Sequence, residues 1–202
     1  MIMAYWKFII FMALFASNAN ELANWQLTVP AKEHISSYQI VSDNWKIHYS
    51  INGNEYQYYL GGEEMKIVYY SGTGNTEKMA NLIAKGIVSG GKDAEVVNVS
   101  AAGLDIFDNE DVVILGCPAM GDEVLEEGEF EPFIEGISSK ISGKKVALFG
   151  SYGWGDGQWM RDWQERMESL GCTLIDDGLI INYEPEDESP ECINFGLKIA
   201  KV

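Results

Sequence analysis

Met65-Lys66-Ile67-Val68-Tyr69-Tyr70-Ser71-Gly72-Thr73-Gly74-Asn75-Thr76 is the stretch that decides the fold. A short apolar run over residues 66–70 stops at a polar, glycine-containing turn, and Met79, Leu82, Ile83 and Ile87 then recur at helical spacing. The stretch predicts a strand, a tight loop and a helix. In the loop, Gly72 and Gly74 let the backbone turn with its N–H groups inward, while Ser71, Thr73 and Thr76 add hydroxyls. The helix start contributes the positive end of its dipole, so a phosphate can be held here without Lys or Arg. No Gly-Lys-Ser/Thr closes the loop, which excludes a triphosphate P-loop, and the order is not GxGxxG. The plainer alternative is a polar turn in which Asn75 or Thr76 caps the helix.

Downstream the same rhythm repeats. Apolar runs over residues 96–99, 112–116, 146–150 and 173–181 read as strands. Between and after them stand three helical stripes: Phe133, Ile134, Ile137 and Ile141 behind Pro132; Met160, Trp163, Met167 and Leu170; and Ile193, Phe195 and Ile199. Strands alternating with helices predict an α/β domain, a doubly wound five-stranded parallel sheet covered on both faces. Ligands of such sheets bind beyond the carboxyl ends of the strands, which directs attention to the loops after strands one, three and four. The second of these is Cys117-Pro118-Ala119-Met120-Gly121-Asp122-Glu123, and the third is Ser151-Tyr152-Gly153-Trp154-Gly155-Asp156-Gly157. A Trp set among glycines at the mouth of a sheet is unfavourable to expose unless something flat covers it or it folds back onto protein.

Residues 1–64 read differently. Residues 8–16 form a nine-residue apolar run behind Lys7, too short to span a bilayer but suited to the core of a signal peptide. Farther on, Asn52-Gly53 between alternating runs predicts a β-hairpin pairing Ile51 with Asn54, Tyr49 with Tyr56, Ile47 with Tyr58 and Trp45 with Leu60. It needs further strands, for which residues 26–29 and 38–41 are candidates. No chemistry is legible here. The pair Gly61-Gly62, followed by Glu63-Glu64, places the boundary of this N-terminal extension ahead of Met65.

Charge narrows the function. Fourteen Lys and Arg against 31 Asp and Glu give −17, and 11 basic against 25 acidic residues leave −14 on residues 65–202 alone. Nucleic acid is excluded as a partner, because contacts to the phosphates of a polyanion are made mostly by Lys and Arg. Cys117, Cys172 and Cys192 show neither disulfide nor zinc spacing, and two histidines, His34 and His48, leave little for acid–base catalysis. A bound cofactor is expected to carry the chemistry.

On three stretches, in order, residues 65–202 resemble a short-chain flavodoxin of the clostridial type: residues 65–76, Ala119-Met120-Gly121-Asp122-Glu123, and Gly150-Ser151-Tyr152-Gly153-Trp154-Gly155-Asp156-Gly157. The resemblance implies strand order 2-1-3-4-5; flavodoxin is itself the usual example of a ligand at that switch point, so the placement of flavin mononucleotide (FMN) is taken from the family. By resemblance, residues 71–76 cradle the FMN phosphate, Met120 covers one face of the ring and Trp154 the other, and Glu123 accepts the pyrimidine N3–H. Loop groups of Ala119, Gly121 and Gly153 meet the ring edge, and Pro118, Asp122, Ser151, Tyr152, Gly155 and Asp156 complete the set. The peptide after the Met turns on reduction to accept N5–H, which Gly121 makes sterically easy. Two residues depart from the family: Pro118 stands where a small polar residue is expected, and Tyr70 where relatives often carry Trp. The implied function is a low-potential, FMN-dependent one-electron carrier between protein partners and no enzyme; the alternative is an FMN-dependent flavin or quinone reductase. The acids Asp122, Glu123, Glu126, Glu127, Glu129 and Glu131 form a rim for redox partners with basic faces. The expected protein is monomeric and cytoplasmic, with no membrane contact unless residues 1–17 export or anchor it.

Overall fold

The computed structural model describes residues 64–202 and, as backbone strands, residues 35–41, 46–51 and 54–59. The signal-like run, the candidate strand over residues 26–29 and the glycine pair at 61–62 lie outside the described residues. The chain divides into two units, Met1–Gly62 and Glu63–Val202.

In the first unit, β1 (Ile35–Val41), β2 (Lys46–Ile51) and β3 (Asn54–Tyr59) form an antiparallel sheet in that order. The β2–β3 register pairs Ile51 with Asn54, Tyr49 with Tyr56 and Ile47 with Tyr58, as the two-residue Asn-Gly loop requires. Trp45 and Leu60 lie outside the described residues. The third strand is β1, which contains the expected residues 38–41.

The second unit alternates strand and helix: β4 (Glu64–Tyr69), α1 (Asn75–Ser89), β5 (Asp93–Asn98), β6 (Val112–Gly116), α2 (Phe130–Ile137), β7 (Lys145–Tyr152), α3 (Gln158–Ser169), β8 (Thr173–Leu174), β9 (Leu179–Asn182) and α4 (Pro190–Ile199). All pairings in its sheet are parallel, in the order β5-β4-β6-β7, with β8 and β9 both on the outer side of β7. Counting β8 and β9 as one interrupted strand, this is the 2-1-3-4-5 order.

Alternation along each apolar strand sends neighbouring side chains to opposite cores. Val68, Val113, Leu115, Val146 and Leu148 pack with Phe130, Ile134, Trp159 and Trp163 beneath α2 and α3. Ile67, Tyr69, Ile114, Ala147 and Phe149 pack with Met79, Ile83, Phe195 and Ile199 beneath α1 and α4. On that second face the two helices meet glycine to glycine: a Cβ on Gly86 would stand 2.2 Å from the Ile193 carbonyl oxygen, and one on Gly196 2.1 Å from that of Ile83.

The single strand expected over residues 173–181 is broken. Leu174 pairs with Val146 and Leu179 with Phe149, so four residues, 175–178, stand opposite two. Asp176-Asp177-Gly178 resists a continuous edge, and Gly178 folds under α3, donating its N–H to Gln164 Oε1. A Cβ there would stand 2.3 Å from Met160 Sδ. Helix α2 is shorter than its stripe suggested, ending at Ile137, with Ile141 buried beyond it.

Candidate functional site

Three loops leave the carboxyl edge of β4, β6 and β7. The Tyr70 N–H makes the last ladder bond of β4, 2.8 Å to the Gly116 carbonyl, and the chain then turns. Ser71 Oγ accepts the Gly74 N–H at 3.1 Å, and Gly74, at φ 91°, is the N-cap of α1. No side chain caps this helix. Neither Asn75 nor Thr76 plays that part, and the first-turn N–H groups are left without a side-chain cap. Thr76 is 1% exposed, and its hydroxyl lies 3.0 Å from Ser151 Oγ, so it ties the first loop to the third. Gly72 and Thr73 are exposed, and Asn75 is half-buried. One turn along, Lys78 is engaged elsewhere, donating to Glu184 and Asp187 at 2.7 Å each.

The second loop begins at Cys117, whose N–H bonds to the Phe149 carbonyl at 3.0 Å; the Ala119 N–H bonds to that of Ser151 at 2.9 Å. Pro118 lies between these two rungs, so its missing N–H faces away from β7, on the side where the ladder to β4 has ended. The ladder between β4 and β6 ends with the Tyr70–Gly116 bond, where Pro118 offers no N–H to continue it. Met120 and Val124 then close a tight antiparallel bridge, each N–H 2.9 Å from the other's carbonyl. Between them Gly121 sits at φ 45° and Glu123 at φ 56°, and Asp122 is exposed. The Met120 carbonyl is therefore occupied by Val124, whereas no backbone hydrogen bond among the described residues holds the next peptide, between Gly121 and Asp122. Glu123 Oε1 accepts the N–H groups of Gly157 at 2.8 Å and Gln158 at 2.9 Å, bonding the loop to the start of α3. Burial pushes the Cys117 thiol up to about 12, so it is no nucleophile.

In the third loop Ser151 is buried and Tyr152 half-buried, while Gly153 and Gly155 are exposed; Trp154 is 62% exposed and Met120 36%. Gly155, at φ 91°, lies where a Cβ would collide with the Glu123 carboxyl. Asp156 pairs with Arg161 at 2.7 Å. Tyr183, which follows β9, belongs to no motif in the sequence. Its N–H bonds to the Tyr152 carbonyl at 2.7 Å, and its ring lies against Gly153. The signal available was its place at the carboxyl end of the strand beside β7.

Three loops cross-bonded at Thr76–Ser151, Ala119–Ser151 and Glu123–Gly157 therefore enclose an uncapped helix start, with an exposed thioether and an exposed indole at their rim. These residues fit a cofactor with a phosphate at one end and a flat ring at the other. Fold and site define a mononucleotide-binding, doubly wound α/β protein.

A family model described as flavodoxin matches residues 67–196. The flavodoxin of Clostridium beijerinckii is 66% identical over 138 residues, covering 68% of this chain and 100% of the relative. That of Megasphaera elsdenii is 48% identical over 138 residues, covering 68% and 99%. The solution structure of the two-electron reduced Megasphaera elsdenii flavodoxin superimposes with a TM-score of 0.64 at 48% identity, over 68% of this chain and 99% of that one. The chain belongs to the flavodoxin family. It is an FMN-dependent electron carrier between redox partners and not an enzyme.

Proposed function

We propose that residues 65–202 are the functional FMN domain, that residues 1–64 are an extension to it, and that the three loops divide the cofactor as follows. The loop and helix start over residues 71–76, with the Ser71 and Thr73 hydroxyls, hold the phosphate. Pro118, Ala119, Met120 and Gly121 line one side of the ring, and Ser151, Tyr152, Gly153 and Trp154 the other. Asp122, Gly155 and Asp156 shape the two turns, and Glu123, its Oε1 engaged, offers Oε2 to a ring N–H. Gly121 lets the following peptide turn its carbonyl toward a protonated ring nitrogen. FMN, when bound, supplies the one-electron chemistry; the protein orients it, excludes water from its faces and leaves one edge open.

The observation that carries this reading is the uncapped, glycine-started α1 cross-bonded to a loop with an exposed Trp. FMN titration of the apoprotein is expected to quench Trp fluorescence at one equivalent, and anaerobic titration to show two separated one-electron steps. A single two-electron step with steady NADPH turnover would overturn the reading in favour of a reductase. We further propose partners with basic faces, drawn to the acids from Asp122 to Glu131, and a monomeric, cytoplasmic protein. Among the described residues no helix is long and apolar enough to cross a membrane. Sedimentation and cell fractionation check the last two points.

A further inference from the structure

Tyr183 stands out by its backbone. Among the described non-glycine residues only Glu123 and Tyr183 have positive φ, and Tyr183 sits at 59°. Gly or Asn adopts this conformation readily, whereas a bulky side chain is strained in it. Such strain persists where the surroundings over-determine it, and here they do. The Tyr183 N–H bonds to the Tyr152 carbonyl at 2.7 Å, and Asn182 Nδ2 approaches the same oxygen at 3.3 Å. On the other side Glu184 and Asp187 are fastened to Lys78 of α1 at 2.7 Å each. The segment is thus tied both to the Trp154 loop and to the helix that begins at the phosphate loop.

The strained residue is also an exposed aromatic. Tyr183 is 62% exposed, as Trp154 is. Asn182 is in register with Tyr152, which sets Tyr183 level with Gly153. Three atoms of its ring lie 3.4–3.9 Å from where a Cβ on Gly153 would stand. A second aromatic ring is thereby held beside the Trp154 loop at the carboxyl edge of the sheet, in a conformation that a smaller residue would occupy without strain.

We infer that Tyr183 is a further cofactor-contacting residue, its ring edging the flavin site beside Gly153 and Trp154. The inference rests on the FMN reading above. It sets ligand affinity against the stability of the empty protein, a combination that a purely structural residue does not show. The test compares wild type, Tyr183→Asn and Tyr183→Phe by thermal unfolding of the full-length apoprotein and by FMN titration. Tyr183→Asn relieves the strain and raises the apoprotein midpoint by about 3 °C, while weakening FMN about fivefold, the worth of one aromatic contact. Tyr183→Phe, which keeps the ring, retains affinity within about twofold. Unchanged affinity in Tyr183→Asn overturns the inference, as does a parallel loss of stability and affinity. Failure of the wild type to bind FMN instead overturns the cofactor reading itself.

Discussion

Gly121 acts through its backbone alone: at φ 45°, a Cβ there would meet nothing within 4 Å, so a side chain is opposed only by conformational strain. With the Met120 carbonyl held by Val124, Gly121→Val restricts the peptide that follows it. Strain on the order of 1 kcal/mol corresponds to roughly 40 mV for one electron. The first and second reduction potentials of Gly121→Val are therefore expected to lie about that much closer together in an anaerobic titration; an unchanged gap would sink the argument. Glu126 shows where reading the sequence stopped short. It reads as one acid of a docking rim, yet its carboxylate accepts the N–H groups of Gly128, Glu129 and Phe130 at 2.8–2.9 Å and so starts α2. Burial pushes its pKa up, but the three N–H groups outweigh burial and hold it below the ordinary carboxylate value. A depressed pKa stabilises the fold above the unfolded-state value, and that stability is lost as pH falls through the folded-state value. Glu126→Ala should cost about 1 kcal/mol at neutral pH, with the difference in urea midpoints shrinking as the medium is acidified. Glycines and hydroxyls made the three loops legible. Tyr183 was not, because its φ and its contact with Gly153 arise only once β9 has docked beside β7.

Among the secondary-structure elements, the helix pair α1–α4 depends on two residues that look like helix breakers. In isolation, Gly→Ala within a helix gains about 1 kcal/mol of propensity. Here the added methyl of Gly86→Ala or Gly196→Ala would press on the carbonyl of Ile193 or Ile83, at 2.2 and 2.1 Å. Backbone cannot yield as a flexible side chain does, so close packing wins. Each substitution is expected to destabilise by about 1–3 kcal/mol, read as a lower urea midpoint with an unchanged denaturant slope. A gain in stability would show that the helices slide apart at little cost. Strand β6 was legible to the residue, because it is apolar throughout and buried on both faces. The outermost strand was not, since its break depends on Gly178 finding Gln164 and Met160 on α3, partners distant in sequence. The stripe of α2 overran for a related reason: Ile141 is buried without being helical, and periodicity alone does not separate the two.

Across the whole chain, charge is the property most open to measurement. Residues 65–202 hold 11 basic and 25 acidic residues, a net of −14, and several of the cations are paired locally, as Lys78 is with Glu184 and Asp187. Acids remain exposed along the turn that carries Met120, among them Asp122, Glu127 and Glu129. Each unit charge about 10 Å from the flavin contributes about 0.4 kcal/mol in water, or roughly 20 mV for one electron. The sum over the domain reaches the order of 100 mV before screening. Because a second electron brings further negative charge into this field, its potential is lowered more than that of the first. Salt screens exposed charges over a Debye length of about 30 Å at 0.01 M and about 3 Å at 1 M. Raising salt across that range should lift the second potential by several tens of millivolts relative to the first. The same change should slow electron transfer to a basic partner, because the field that opposes the second electron also draws that partner in. If the potentials ignore salt while the transfer rate falls, the acids serve docking alone, and the low second potential has its origin in the loops that touch the ring.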